Sequence, residues 1–371
     1  MRVLFTGGGT GGHVYPALAV AQLLRKNDPG CQILFVGTER GLERDLVPKA
    51  GFKLETITSA GLKRRLSPEN ISTLVRNWYG FGQARSILRR FQPDVVMGTG
   101  GYVTVPVVLA AALGGIPILL HEQNALPGLA NRLLSRFANR VAVSYEDSAR
   151  FFGDKHKVIV SGNPVREEIW QREQAVARTN LAIPADAKLV LVFGGSRGAR
   201  PVTEAALDAA PTLLKKPGNV LIVVTGQADF ATIEEKVERA GIANLGPGKM
   251  LLRPYLYNME DALAAADLVV TRAGATTIAE ITARGVPAIL VPSPYVTANH
   301  QEYNARLLSD RGAARLILQK DLTGAVLARE IEQLLYQPEE RVRMAGAARA
   351  LGQRQAANTI ASEIIRLGQR R

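Results

Sequence analysis

Short apolar runs alternate with segments of helical period along the whole chain of 371 residues. Runs at 2–6, 32–37, 53–58, 94–97, 117–121, 140–144 and 157–161 predict strands in the first half. Runs at 189–193, 220–224, 249–253, 267–271 and 287–291 predict strands in the second. Several are apolar without a break, as expected of strands covered on both faces. Helical segments between them imply βαβ units and parallel sheets, an α/β fold.

One stretch imitates a membrane span. Val95 to Leu120 carries no charge and is long enough to cross a bilayer. Gly98, Gly100, Gly101, Pro106, Gly114, Gly115 and Pro117 interrupt it, so it reads as strand, glycine loop, short helix and strand.

The two halves share a plan. Val3-Leu4-Phe5-Thr6-Gly7-Gly8 opens the first and Leu191-Val192-Phe193-Gly194-Gly195 opens the second. Asp94-Val95-Val96-Met97 leads to Gly101, and Asp267-Leu268-Val269-Val270 leads to Gly274. Each is followed by Gly-x-Pro entering a strand, at Gly115-Ile116-Pro117 and Gly285-Val286-Pro287. We therefore expect two Rossmann-like domains in tandem, divided in the turn-rich Ser161-Gly162-Asn163-Pro164. The expected limits are 1–163 and 164–345, with a terminal helix over 346–371 that packs back on the first domain.

Composition narrows the class. A 47% hydrophobic, 21% charged chain is ordinary for a globular protein. Cys31 is alone, which excludes a disulfide framework and a cysteine metal site. The N-terminus lacks the apolar core of a signal peptide, so a cytoplasmic protein is expected. With 46 Lys and Arg against 33 Asp and Glu, the net charge is +13, which points to an anionic partner. Residues 1–165 hold +9 of it. Between Leu62 and Arg90, seven basic side chains (63, 64, 65, 76, 85, 89 and 90) stand against Glu69 alone. Leu74, Val75, Trp78, Tyr79 and Phe81 are interleaved with them. Basic and aromatic residues together suit an anionic membrane surface better than nucleic acid.

The candidate chemistry lies in glycine loops. Gly7-Gly8-Gly9-Thr10-Gly11-Gly12-His13 follows a strand and precedes a helix, where free N–H groups attract anions. Gly7, Gly9 and Gly12 match the dinucleotide pattern, but the acid wanted after the second strand falls late, at Glu39. An ATP loop would need Lys and Ser or Thr where His13 and Val14 stand. His13 closes its turn at the carboxyl edge of a sheet and can take a proton at neutral pH. Gly98-Thr99-Gly100-Gly101-Tyr102 and Gly194-Gly195-Ser196-Arg197-Gly198 are further glycine loops, more than one nicotinamide cofactor needs. They fit a cleft between the two domains with a different ligand on each wall. In Arg272-Ala273-Gly274-Ala275-Thr276-Thr277-Ile278-Ala279-Glu280, small residues at a helix start suit a diphosphate, and Glu280 suits ribose hydroxyls. The amides of 299–304 suit a sugar.

Taken together these pieces resemble the MurG family of GT-B-type glycosyltransferases. They are joined by His121-Glu122-Gln123-Asn124, Gly162-Asn163-Pro164-Val165-Arg166 and Gln301-x-x-Asn304, in order, from Met1 to about Arg306. The resemblance implies transfer of GlcNAc from UDP-GlcNAc to the 4-hydroxyl of MurNAc in undecaprenyl-pyrophosphoryl-MurNAc-pentapeptide, with inversion. It makes His13 the base, puts Thr10, Gly11, Gly12 and Asn124 near the sugar, and puts Arg166 and Ser196 on the diphosphate. The phosphate helix carries Ala275, Thr276 and Thr277. Glu280 takes the ribose, Gln301 the GlcNAc, and the backbone of Leu256 the uracil. Gly100, Gly101, Tyr102, Trp78, Phe81 and Arg85 fall to the acceptor and membrane side. Further implied are a peripheral place on the cytoplasmic face of the bacterial inner membrane, other cell-wall synthesis proteins as partners, and no obligatory metal or cofactor. UDP-GlcNAc 2-epimerases share the architecture but need no lipid acceptor. An NAD-dependent oxidoreductase would bind NADH, and a non-catalytic nucleotide-sugar subunit would turn nothing over.

Overall fold

The computed structural model describes residues 1–61, 69–195, 198–242, 246–296 and 299–369. The chain forms two compact units, Met1–Arg166 with Gln353–Arg371, and Glu167–Gly352.

In the first unit the strands are β1 (Arg2–Gly7), β2 (Gln32–Gly37), β3 (Lys53–Thr56), β4 (Val95–Gly100), β5 (Ile118–Glu122), β6 (Arg140–Val143) and β7 (Val158–Val160). Its helices are α1 (Gly11–Asn27), α2 (Glu43–Lys49), α3 (Glu69–Phe91), α4 (Thr104–Leu113) and α5 (Leu129–Leu134). The second unit starts with helices α6 (Glu167–Gln171) and α7 (Gln174–Asn180). Its strands are β8 (Lys188–Phe193), β9 (Asn219–Val224), β10 (Lys249–Arg253), β11 (Leu268–Thr271), β12 (Ala288–Leu290) and β13 (Arg315–Leu316). Between and after them run α8 (Arg200–Leu213), α9 (Phe230–Arg239), α10 (Met259–Ala265), α11 (Ala275–Arg284), α12 (His300–Ser309), α13 (Gly324–Tyr336) and α14 (Pro338–Ala350). The last helix, α15 (Ala356–Gly368), belongs to the first unit.

Both sheets are parallel. Their orders are β3-β2-β1-β4-β5-β6-β7 and β10-β9-β8-β11-β12-β13. Each order reverses between its first and fourth strands, β1 beside β4 and β8 beside β11. Such switch points open a crevice at the carboxyl ends of the strands. The central strands are buried along their length, which explains their unbroken apolar runs.

The paired Gly-x-Pro signals have one cause. Gly115 and Gly285 end α4 and α11, both with φ of 64°. That left-handed turn costs glycine little, and the proline two residues on cannot continue the helix. The next residue donates back into the helix, Ile116 to Ala111 and Val286 to Ile281.

Val95 to Leu120 is β4, α4 and the start of β5. No helix among the described residues is long and apolar enough to cross a membrane. Gly98-Thr99-Gly100, expected as a loop, is strand, because β4 stays paired with β1 through a register shift at Thr6 and Gly7. The turn begins at Gly101. The segment 346–371 is two elements: α14 ends in the second unit, and α15 lies against α1. Ile360, Ala361, Ile364 and Leu367, spaced as one helical face, join Val20, Leu24 and Val95 in one apolar cluster.

Candidate functional site

In the first unit the glycine loop after β1 meets the turn after β4. Gly8 donates its N–H to the Gly100 carbonyl at 3.4 Å. Thr99 donates its hydroxyl to the carbonyl of His13 at 2.8 Å. A β-carbon on Gly101 would stand 2.6 Å from the Gly8 oxygen, so the two backbones touch only because glycine is there.

His13 lies in the first turn of α1, half-buried. Its Nδ1 is 2.9 Å from the Gly8 carbonyl, and the Thr10 hydroxyl is 3.4 Å away. A carbonyl only accepts, so this bond puts the ring proton on Nδ1 and leaves the Nε2 lone pair available. Nε2 borders Gly100, where a β-carbon would lie 3.1 Å from it. Thr10, Gly11 and Gly12 form the cap and first turn of the same helix. Tyr102 stands beside Gly9.

Behind this loop lies a polar layer. His121 is fully buried, and burial pushes its imidazole down to about 4. Gln123 Nε2 lies 3.1 Å from His121 Nδ1, and the other ring nitrogen lies 3.2 Å from the Gly162 carbonyl. Gln123 also donates to the Thr99 carbonyl at 2.8 Å, which ties β5 to the β4 edge. Glu122 accepts from the Asn124 N–H at 3.0 Å, the Asn124 amide at 3.1 Å, the Gly128 N–H at 3.0 Å and the Asn131 amide at 2.9 Å. Asn124 is thereby held in one orientation on the loop after β5.

Arg166, expected on the donor domain, closes the first unit instead. Its guanidinium lies over the Tyr15 ring, 4.8 Å from the centroid.

Helix α3 carries the expected basic and aromatic residues on two faces. Ala84, Ile87 and Leu88 enter the core and Phe81 packs against it. Ile71, Leu74, Val75, Trp78 and Tyr79 follow helical spacing yet are exposed, Trp78 to 78%. Trp78 stacks on Phe81 with centroids 5.8 Å apart. Arg76, Arg85, Arg89 and Arg90 are exposed beside them. Lys63, Arg64 and Arg65 lie outside the described residues. The helix is linked to the glycine turns through Asn77, which accepts from Ser59 at 2.9 Å, while Ser59 also reaches the Tyr102 carbonyl at 3.2 Å.

In the second unit, Gly274 caps α11, and Ala275, Thr276 and Thr277 form its first turn. Glu280, one turn on from Thr276, is only 8% exposed. It is not the solvated carboxylate that a helix surface would offer. Gln301, in the first turn of α12, accepts the Ser293 N–H at 2.9 Å, so its NH2 group is left to donate elsewhere. Arg272 is buried and donates to the carbonyls of Val291 and Pro292 at 3.1 and 3.2 Å. Burial pushes its guanidinium below the usual arginine range. Leu256 is half-buried in the loop after β10. Ser196 and Arg197 lie outside the described residues. Among those that are described, no group of three or more His, Cys, Asp or Glu is placed to hold a metal ion.

Sequence models of known families match both units. Residues 3–143 match the glycosyltransferase family 28 N-terminal domain, and residues 189–362 match its C-terminal domain. The chain belongs to glycosyltransferase family 28. This family 28 enzyme is 48% identical to the UDP-N-acetylglucosamine–N-acetylmuramyl-(pentapeptide) pyrophosphoryl-undecaprenol N-acetylglucosamine transferase of Desulforamulus reducens, over 97% of both chains. It is 44% identical to transferase 1 of the same name from Bacillus cereus, again over 97% of both. The crystal structure of MurG from Acinetobacter baumannii matches with a TM-score of 0.74 and 29% identity, covering 98% of this chain and 99% of that one. Within family 28 it therefore stands with the MurG transferases, and its two Rossmann-like parallel sheets are the α/β architecture of a GT-B glycosyltransferase.

Sequence reasoning named Glu122 and Gln123 only as part of a motif, without a role, and passed over Asn131 and Glu43. Glu122, Gln123 and Asn131 orient the loop after β5, and Glu43 holds the first glycine loop. The signal for Glu43 was a set of glycines, Gly8, Gly37 and Gly41, each without a β-carbon where its side chain runs.

Proposed function

We propose that this chain moves N-acetylglucosamine from UDP-GlcNAc to the 4-hydroxyl of the muramic sugar in undecaprenyl-pyrophosphoryl-MurNAc-pentapeptide, inverting the anomeric carbon. The observation that carries it is the available Nε2 of His13 at the β1/β4 switch point, in a chain 48% identical to a transferase of that name. Inversion takes one displacement. The acceptor O4 attacks C1, its proton passes to His13 Nε2, and the C1–O bond to UDP breaks with its electrons going to the diphosphate.

The first unit takes the acceptor. Thr10, Gly11, Gly12 and the oriented Asn124 contact the sugars, with Gly100, Gly101 and Tyr102 on the acceptor side. The second unit takes the donor. The N–H groups at the start of α11, with Ser196, meet the diphosphate as it gains charge. Arg166 adds its positive charge to the same leaving group. Thr276 and Thr277 offer hydroxyls, Glu280 accepts from the ribose, Gln301 donates to GlcNAc, and the Leu256 backbone meets uracil.

The exposed apolar stripe of α3 and its flanking arginines support docking on an anionic membrane at its cytoplasmic face. A lipid-linked acceptor would be met there, among other cell-wall synthesis proteins.

Labelled GlcNAc offered as UDP-GlcNAc should appear in a lipid-extractable disaccharide when the muramyl lipid acceptor is supplied. Donor consumption without a lipid-linked product would overturn the assignment.

A further inference from the structure

Glu43 starts α2, and its side chain turns inward until only 1% of the residue is exposed. Three donors converge on its carboxylate. One oxygen accepts from the Thr38 N–H at 2.9 Å and the Thr38 hydroxyl at 2.8 Å. The other accepts from the Gly9 N–H at 2.9 Å. Space for it is made by absent side chains. β-carbons on Gly8, Gly37 and Gly41 would fall 2.3, 2.4 and 2.0 Å from Glu43 atoms.

The Gly9 N–H belongs to the same peptide group as the Gly8 carbonyl, which faces His13 Nδ1 at 2.9 Å. The chain of contacts is therefore carboxylate, peptide N–H, peptide carbonyl, imidazole. A peptide group is planar and delocalised, so a negative charge at its N–H draws electron density onto its oxygen. Hydrogen bonds in series strengthen one another in this way. A carbonyl so polarised is a better acceptor for Nδ1–H, and most of all for the imidazolium formed when Nε2 takes a proton.

We propose that Glu43 is a positioning residue for the transfer reaction: it acts on His13 through the single Gly8–Gly9 peptide group, fixing its ring and raising its proton affinity. This rests on His13 acting as the base. It extends that reading by naming the buried charge that supports the base, two hydrogen bonds away.

Other titratable groups face the same loop. His121 and Glu122 stand on β5, the latter bonded to Asn131 beside Gly100. Tyr102 borders Gly9, and Arg166 covers Tyr15 on α1. Glu43 reaches the Gly8–Gly9 peptide group directly, through its N–H.

The test is Glu43→Gln in the full chain, read in two ways. With both substrates saturating, kcat should fall while the donor KM stays within about twofold, and the acid limb of the pH–kcat profile should move to lower pH. The move should be about one pH unit, a tenfold loss of proton affinity. Independently of turnover, NMR titration of ring-15N histidine should show the His13 midpoint falling by the same amount, its signal assigned by its loss in His13→Ala. A folded Glu43→Gln variant with both limb and midpoint unmoved overturns the proposal. If it does not fold, Glu43→Asp keeps the charge but withdraws it from the Gly9 N–H. A lower His13 midpoint in that variant supports the proposal, and a wild-type midpoint overturns it. Normal turnover in His13→Ala would instead remove the base, leaving the NMR titration to decide the coupling alone.

Discussion

Asn304 donates its side-chain amide to the carbonyl of Ala273, 3.2 Å away, and is itself fully buried. One side chain thus ties α12 to the residue just before the cap of α11. Replacing Asn304 with Leu leaves the Ala273 carbonyl buried without this donor, a loss of about 1–3 kcal/mol. We expect a lower melting temperature together with weaker UDP binding by calorimetry. An unchanged UDP affinity in a destabilised variant would confine Asn304 to packing.

His13→Ala should lower turnover by about 100- to 10,000-fold, the usual worth of a general base. UDP binding should stay within a few-fold of wild type. Turnover near normal would remove His13 from the chemistry.

Glu280→Ala should weaken UDP-GlcNAc by about tenfold to a hundredfold, the loss of one or two charge-assisted hydrogen bonds. The deoxyribose analogue of UDP tests the same contact from the other side. If Glu280 meets the ribose, the variant should no longer distinguish it from UDP.

His121 is a source of acid sensitivity. Its folded value of about 4 lies below the ordinary 6.5 because burial disfavours the charged ring. Between those values the unfolded chain binds a proton that the folded chain does not. Its stability contribution is therefore complete above pH 6.5 and is lost as pH falls toward 4, on the order of 3 kcal/mol in all. Denaturant melts across that window should show the loss, and His121→Gln should flatten it. Parallel curves for the two proteins would count against the buried neutral ring.

Binding to anionic vesicles should weaken as salt rises, because the α3 arginines are exposed to screening. Trp78→Ala should weaken binding at every salt concentration, since it removes apolar insertion rather than charge. Equal affinity for neutral and anionic vesicles would contradict the basic surface.

Much of the fold was legible because buried parallel strands leave unbroken apolar runs. The strand beginning at Arg2 and its counterpart near Leu189 announce themselves in this way. β13 is two residues long, Arg315 and Leu316, too short for any period to register. The mistaken loop at Gly98 to Gly100 has the opposite cause. Glycines there serve close packing inside a strand, with Leu120 and Thr104 against Gly98, and not a turn. In the site, the residues proposed to meet substrate lie in glycine-rich motifs, which mark them in the sequence. The ones that hold them, such as Glu43, act across distances of 34 residues, where no local pattern marks them. The first unit runs on to Arg166, three residues past the expected division at Asn163, and so takes in Arg166.

The return of α15 to the first unit has a consequence for synthesis. That unit's sheet is complete by Val160, yet the apolar face of α1 that meets Ile360, Ile364 and Leu367 must wait until the second unit has left the ribosome. The domain begun first is thus the one finished last. During that interval the growing chain carries an open greasy seam that a chaperone can hold.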